Sequence, residues 1–208
     1  MANNLKELTR AHHDNAERTE FADLLLGGSI SPRLYQMYLH AQLHNYLALE
    51  SAVTVPMELE AIFRSAQIEQ DLQEIESLFN LNELDDNLQS VNEYGSHIQT
   101  LVEKGDNEAL LAHLYVRHFG DAHGGQIIKR NIPGSGTMYE FEDRRGLIAG
   151  VRELLHDGMA DEAKICFEYA ERLFHELISE YHDTPEEFAS SEELLYDAAM
   201  NDFDKDWD

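Results

Sequence analysis

Tyr115-Val-Arg-His-Phe-Gly-Asp-Ala-His-Gly-Gly-Gln126 has the letters of a helix yet carries three glycines, at 120, 124 and 125. A glycine inside a helix costs about 1 kcal/mol relative to alanine, so three so close together need a compensating role. Lacking Cβ, they let a flat, bulky group lie nearly against the backbone. Asp121, directly after Gly120, is placed to face that group. Small residues at a close helix–helix contact, or a helix ending at Gly124-Gly125, would leave the same letters. The short motif alone does not separate these readings.

The rest of the chain narrows the class. Its 208 residues suit one domain, and 43% hydrophobic residues suffice for a core. No apolar run is long enough to cross a bilayer, and Asn3, Asn4 and Lys6 interrupt any signal-like start. The single cysteine, Cys166, cannot form an internal disulfide, which fits a reducing cytoplasm. A formal net charge of −26 argues against nucleic acid or an anionic membrane as partner.

Proline is scarce and β-branched runs are short, so the fold class is all-α. Ser31-Pro32 is a helix start, with serine as cap and proline at the first helical position. Apolar residues from Tyr35 to Leu49 then recur at helical spacing until Pro56. Further helices are expected over about 58–79, 88–104, 107–129, 143–156 and 159–182, with an acidic, Asn-rich break at 80–87. Asn131-Ile-Pro-Gly-Ser-Gly136 reads as a loop. One helical domain, 1–182, is followed by an acidic tail, 183–208, with ten acids and one lysine. Within that tail, Thr184-Pro185-Glu186-Glu187 resembles a capping box opening a short helix.

The pattern Tyr-x-Arg-x-x-Gly-Asp-x-x-Gly-Gly-Gln, with Ile127-Ile128-Lys129 after it, resembles the distal-helix signature of the haem oxygenases. Four other blocks follow in family order. Leu5 to Glu17 is similar to the proximal-histidine helix, Leu43 to Glu50 to the next helix, and Ile68 to Leu72 to a later short block. Glu162 to Phe167, with Phe174-His175-Glu176-Leu177, is similar to the helix that closes the pocket. The resemblance implies a multihelical domain with haem b sandwiched between a proximal and a distal helix.

Two adjacent histidines compete for the iron. At about 100° per residue, His12 shares a stripe with Leu5, Leu8 and Ala16, while His13 lies at its edge. Periodicity therefore favours His12. Glu17, four residues after His13, is instead a neighbour of the His13 ring and could fix its second nitrogen. The family pattern His-x-x-Ala-Glu also aligns on His13, which we take as the metal ligand. The resemblance further implies a propionate clamp of Lys6, Arg10 and Arg152, a propionate contact for Tyr115, and polar networks around Arg117 and Tyr46. Phe167 and Phe174, seven apart on one helix, would line the haem edge.

The implied reaction is oxidative opening of haem by O2 and electrons, releasing biliverdin, carbon monoxide and ferrous iron. Haem is both cofactor and substrate. The backbone at Gly120, Gly124 and Gly125 would crowd and steer the oxygen, and Asp121 would act through an ordered water. Cleavage at the α-meso carbon, giving biliverdin IXα, is expected. The chain resembles the soluble cyanobacterial, plastid or phage-encoded enzymes, which implies ferredoxin as donor and a bilin reductase as downstream partner. Two acidic proteins repel, so a basic patch of Lys6, Arg10, Arg18, Lys129 and Arg130 would have to receive the donor. Three positions depart from the family: His123 replaces a serine, Ile148 a lysine and Ala170 an asparagine. A haem carrier that does not turn its ligand over would share the binding residues. A thiaminase-like hydrolase would need a reactive cysteine, and a di-iron bundle a second Glu-x-x-His beside Glu153-Leu-Leu-His156.

Overall fold

A computed structural model describes residues 4–82, 84 and 88–182. The tail beyond His182, its capping-box motif and part of the acidic break lie outside these residues. The described residues form nine α-helices and no strand: α1 Leu5–Leu8, α2 Arg10–Ala16, α3 Glu20–Gly27, α4 Pro32–Glu50, α5 Ser65–Phe79, α6 Gln89–Lys104, α7 Asn107–Ile128, α8 Arg144–Glu153 and α9 Ala160–His182.

Local chemistry sets several ends. Ser31 Oγ accepts from Leu34 N, with Pro32 in the first turn of α4. Asp106 and Asp143 cap α7 and α8 in the same way, accepting from Ala109 N and Gly146 N. Two expected helices divide. The N-terminal one breaks at Thr9, whose hydroxyl bonds back to Leu5 O at 2.9 Å. The 58–79 segment becomes a 3-10 helix, Met57–Ile62, and then α5. The start of α5 is capped from a distance: Glu50 accepts Arg64 N at 2.6 Å and Ser65 N at 3.1 Å. The segment expected to run to 156 ends at Glu153, before a short 3-10 turn, Asp157–Met159.

The core has two clusters. One gathers Leu5, Leu49, Tyr94, Ile98, Leu114, Phe119, Val151, Ala163 and Cys166, joining α1 to the ends of α4, α6, α7, α8 and α9. The other gathers Phe21, Leu34, Tyr35, Tyr38, Ile68, Tyr139 and Leu173 around α3, α4 and α5. The loop after α7 is fastened to α5 by Asp71, whose carboxylate accepts Thr137 N and Oγ1, both at 2.7 Å, and Met138 N at 2.9 Å. Fastening sets Tyr139 against α7. No helix among the described residues is long and apolar enough to cross a membrane.

Candidate functional site

The α7 glycines have two different roles. A Cβ at Gly120 or Gly124 would meet nothing within 4 Å. One face of the helix is therefore bare, as a flat ligand requires. At Gly125 a Cβ would fall 2.5 Å from Tyr139 Cδ1. This glycine serves close packing within the protein, the alternative that the letters left open, and points away from the bare face. The two kinds of site should respond oppositely to alanine in the haem-free protein. Gly125→Ala overpacks the buried Tyr139 ring and should lose about 1–3 kcal/mol in denaturant unfolding. Gly120→Ala and Gly124→Ala should each gain up to about 1 kcal/mol from helix propensity.

Beside the bare face lies a buried polar network. The Tyr46 hydroxyl donates to Asp121 Oδ2 at 2.5 Å. Arg117 Nη1 donates to Gln42 Oε1 at 3.0 Å, and its guanidinium lies 4.1 Å from the Tyr94 ring centre. Among the described residues, Arg117 Nε and Nη2 have no hydrogen-bond partner. Burial pushes the Asp121 carboxyl up to about 7, against the Tyr46 hydrogen bond and the charges of Arg117 and Arg64. Burial also keeps the nearby Tyr35, Tyr38 and Tyr46 phenols protonated. Behind Tyr46, the His118 ring is 4.8 Å away and its Nε2 lies 2.9 Å from Glu50 Oε1. Glu50 thus joins the start of α5 to the distal helix.

On α2, His13 is half exposed, with Nδ1 at 3.5 Å from Glu17 Oε2 and 3.8 Å from Asp14 Oδ1. Its Nε2 is left for a metal. Phe167 of α9 meets the His13 ring edge-on, 5.8 Å between centres. His12 is less exposed and lies with Nε2 at 3.8 Å from Glu168, on the α9 side. A third group forms a rim. Arg152 of α8 sits over Phe119 at 5.7 Å, with Nη2 at 3.5 Å from His123 Nε2. Burial raises the Tyr115 phenol, opposed by a hydrogen bond with Thr9 and by the Arg152 charge, so Tyr115 links α7 to the proximal segment.

Other expected residues lie apart from these groups. Phe174 stacks on Phe21 at 4.9 Å and tilts against Tyr38, inside the second core cluster. Arg10 is exposed and pairs with Glu7 at 3.2 Å, and Lys6 is exposed on α1. Ile148 is buried in the first core cluster, so this wall is apolar where the family has a lysine. His123 Nδ1 donates back to Phe119 O at 2.8 Å, which directs its ring along α7 toward Arg152. Gln42, Tyr94, Glu50 and Thr9 also join these groups. Glu50 and Thr9 lie within the resembling blocks without a role implied for them, and Gln42 and Tyr94 lie outside every motif.

A family profile described as "Heme oxygenase" matches residues 1–176. The chain belongs to the haem oxygenase family. It is 27% identical to "Heme oxygenase 2" of Macaca fascicularis over 83% of this chain, and 28% identical to "Heme oxygenase" of Rhodella violacea over 87%. It spans 64% of the macaque protein and 88% of the algal one. Among solved structures, the haem oxygenase of Leptospira interrogans superposes with a TM-score of 0.71 at 25% identity, covering 83% of this chain and 97% of that one. The Synechocystis haem oxygenase-1, solved in complex with haem, gives 0.72 at 22% identity, covering 86% and 94%. The all-α haem oxygenase fold is thereby established.

The residues fit a b-type haem. His13, with Nδ1 3.5 Å from the Glu17 carboxylate, is a ligand type that haem iron accepts, and the bare face at Gly120 and Gly124 and the Arg152 cation suit a flat ring with carboxylates. Cys166 is buried in the first core cluster, where no hydrolytic substrate reaches it.

Proposed function

We propose that this protein opens haem b oxidatively at the α-meso carbon to biliverdin IXα, carbon monoxide and ferrous iron. The observation that carries the reading is the pairing of a bare helix face at Gly120 and Gly124 with the buried Asp121 carboxyl beside it. Bound haem supplies the ring to be opened and the iron at which O2 is activated.

The chain's own residues would do the rest. His13 would hold the iron through Nε2, with Nδ1 oriented by Glu17. Gly120 and Gly124 keep side chains off the reacting face, so no strong acid projects over it. Asp121, with Oδ2 engaged by Tyr46, holds a proton near neutrality and can pass it to an ordered water. Arg117 keeps positive charge beside that carboxyl without itself donating, since a guanidinium does not deprotonate at working pH. Arg152 and Tyr115 would bind a haem carboxylate at the rim, Arg152 in a bidentate manner, with Lys6 as a looser cation. Phe167 would bound the haem edge beside His13.

Electrons would come from a ferredoxin-class donor. Of the five cations expected to receive it, Arg10 and Lys129 are already paired with Glu7 and Glu140. The contact therefore falls to Lys6, Arg18 and Arg130, and a bilin reductase would take the product.

Single turnover tests the activity. With haem-loaded protein, a reductant and air, the Soret band should fall as the red absorption of biliverdin rises. A stable oxygenated spectrum without ring opening would identify a haem carrier instead.

A further inference from the structure

A second group of ligand atoms lies outside the haem site and takes no part in the chemistry above. His97 of α6, His113 of α7 and Glu162 of α9 converge so that one nitrogen or oxygen of each lies within 4.8 Å of the others. Glu162 Oε1 is 2.5 Å from His97 Nε2 and 2.9 Å from His113 Nε2. His113 is fully buried, while the other two are about one-fifth exposed. His97 alone of the three borders a cavity of about 620 Å³, lined also by Gln89, Asn92, Glu93, Ser96, Thr100 and Tyr169.

The geometry points to a divalent transition-metal site of the zinc type at His97, His113 and Glu162. Two imidazoles and a carboxylate are ligands that zinc accepts. A tetrahedral ion with bonds of about 2.0–2.2 Å needs its ligands ~3.4 Å apart. The observed separations are shorter for the two nitrogen–oxygen pairs, so the rings must retreat by under about 1 Å. That retreat is toward the cavity for His97, which also leaves room for a water as fourth ligand. Ligation needs a bare Nε2 on each ring: a protonated imidazole releases its Nε2 proton to solvent, and a neutral one carries its single proton on Nδ1 instead. The ligands come one each from three helices, so a bound ion would fasten α6 and α9 to the distal helix, stabilising the fold by mass action. His113 lies two residues before Tyr115, and its ring is 5.4 Å from Tyr94, the ring under Arg117. The ion would thus brace the underside of the distal network. The high negative charge of the chain favours cation uptake.

Equilibrium dialysis of the tag-free full chain against Zn²⁺, with and without haem, tests the site alongside thermal melting. One zinc per chain is expected in both forms, with a melting temperature that rises on zinc addition. His97→Gln should weaken zinc binding at least tenfold and abolish that rise, while melting like the parent in EDTA. Glu162→Gln should act likewise. Zinc binding that survives His97→Gln would overturn the assignment, as would binding that vanishes in His13→Ala, which places the ion at His13, Asp14 and Glu17. Absence of zinc binding to the parent would overturn it outright.

Discussion

His13→Ala is expected to lose the ferrous–CO spectrum of a histidine-ligated haem and all biliverdin formation, with exogenous imidazole restoring the spectrum. His12→Ala should keep both. The contrast rests on where the two rings lie. His13 has Nδ1 beside Glu17, its ring against Phe167, and half its surface open. A carboxylate on one nitrogen fixes the ring and raises the basicity of the other, which suits an axial ligand. His12 lies instead toward Glu168 on α9. Glu17→Gln gives an intermediate outcome: the iron stays bound, and the ferrous–CO band shifts because the ring loses its charged acceptor. An unchanged spectrum in His13→Ala, with loss in His12→Ala, would reverse the assignment.

Much of this arrangement was legible in the letters wherever the cause is local. Ser31-Pro32 announces α4 because cap and first turn are neighbours in sequence. The Tyr115–Gln126 motif marks the distal helix because unexplained glycines in a helix demand a reason. What escaped reading has causes far along the chain. The true start of α5 depends on Glu50, fifteen residues earlier. Gly125 looks like its neighbours until Tyr139, held in place by Asp71, arrives at its backbone. Phe167 and Phe174 do lie seven apart on α9, yet the helix passes from one core cluster to the other between them. Only Phe167 meets His13, while Phe174 meets Phe21. Periodicity identifies a face and cannot name what lies across from it.

The same distinction explains His123. Where the family places a small serine, the longer ring folds back on its own helix and reaches Arg152. The substitution thereby touches the rim cation and leaves the Tyr46–Asp121 bond intact. On the proposed function, its consequence would fall on how haem carboxylates are held, and so on the orientation of the ring, more than on proton handling.

Asp121→Asn is expected to lower haem turnover by about 10²-fold or more, the usual scale for losing a proton-handling group. It should also change how the haem-free fold responds to pH. Burial holds the Asp121 carboxyl protonated up to about 7 in the folded state, against an ordinary value of 3.8. Between those values the folded chain binds a proton that the unfolded chain has released. Stability attributable to this group is therefore fully present below about pH 4, falls as pH rises to 7, and is flat above it. At about 1.4 kcal/mol per pH unit, the fall amounts to at most roughly 4 kcal/mol. Asparagine keeps the shape and can still accept from Tyr46, but it does not ionise. Denaturant unfolding of the parent and variant should give a stability difference that changes between pH 4 and 7, with the variant gaining on the parent as pH rises. A difference independent of pH would mean that Asp121 is ionised throughout, and that a group other than this carboxyl holds the proton. A carboxyl buried beside a bare helix face, its ionisation opposed by desolvation, is costly to the fold above its folded-state pKa. Turnover with pH dependence near 7, lost in Asp121→Asn, would identify what that cost maintains.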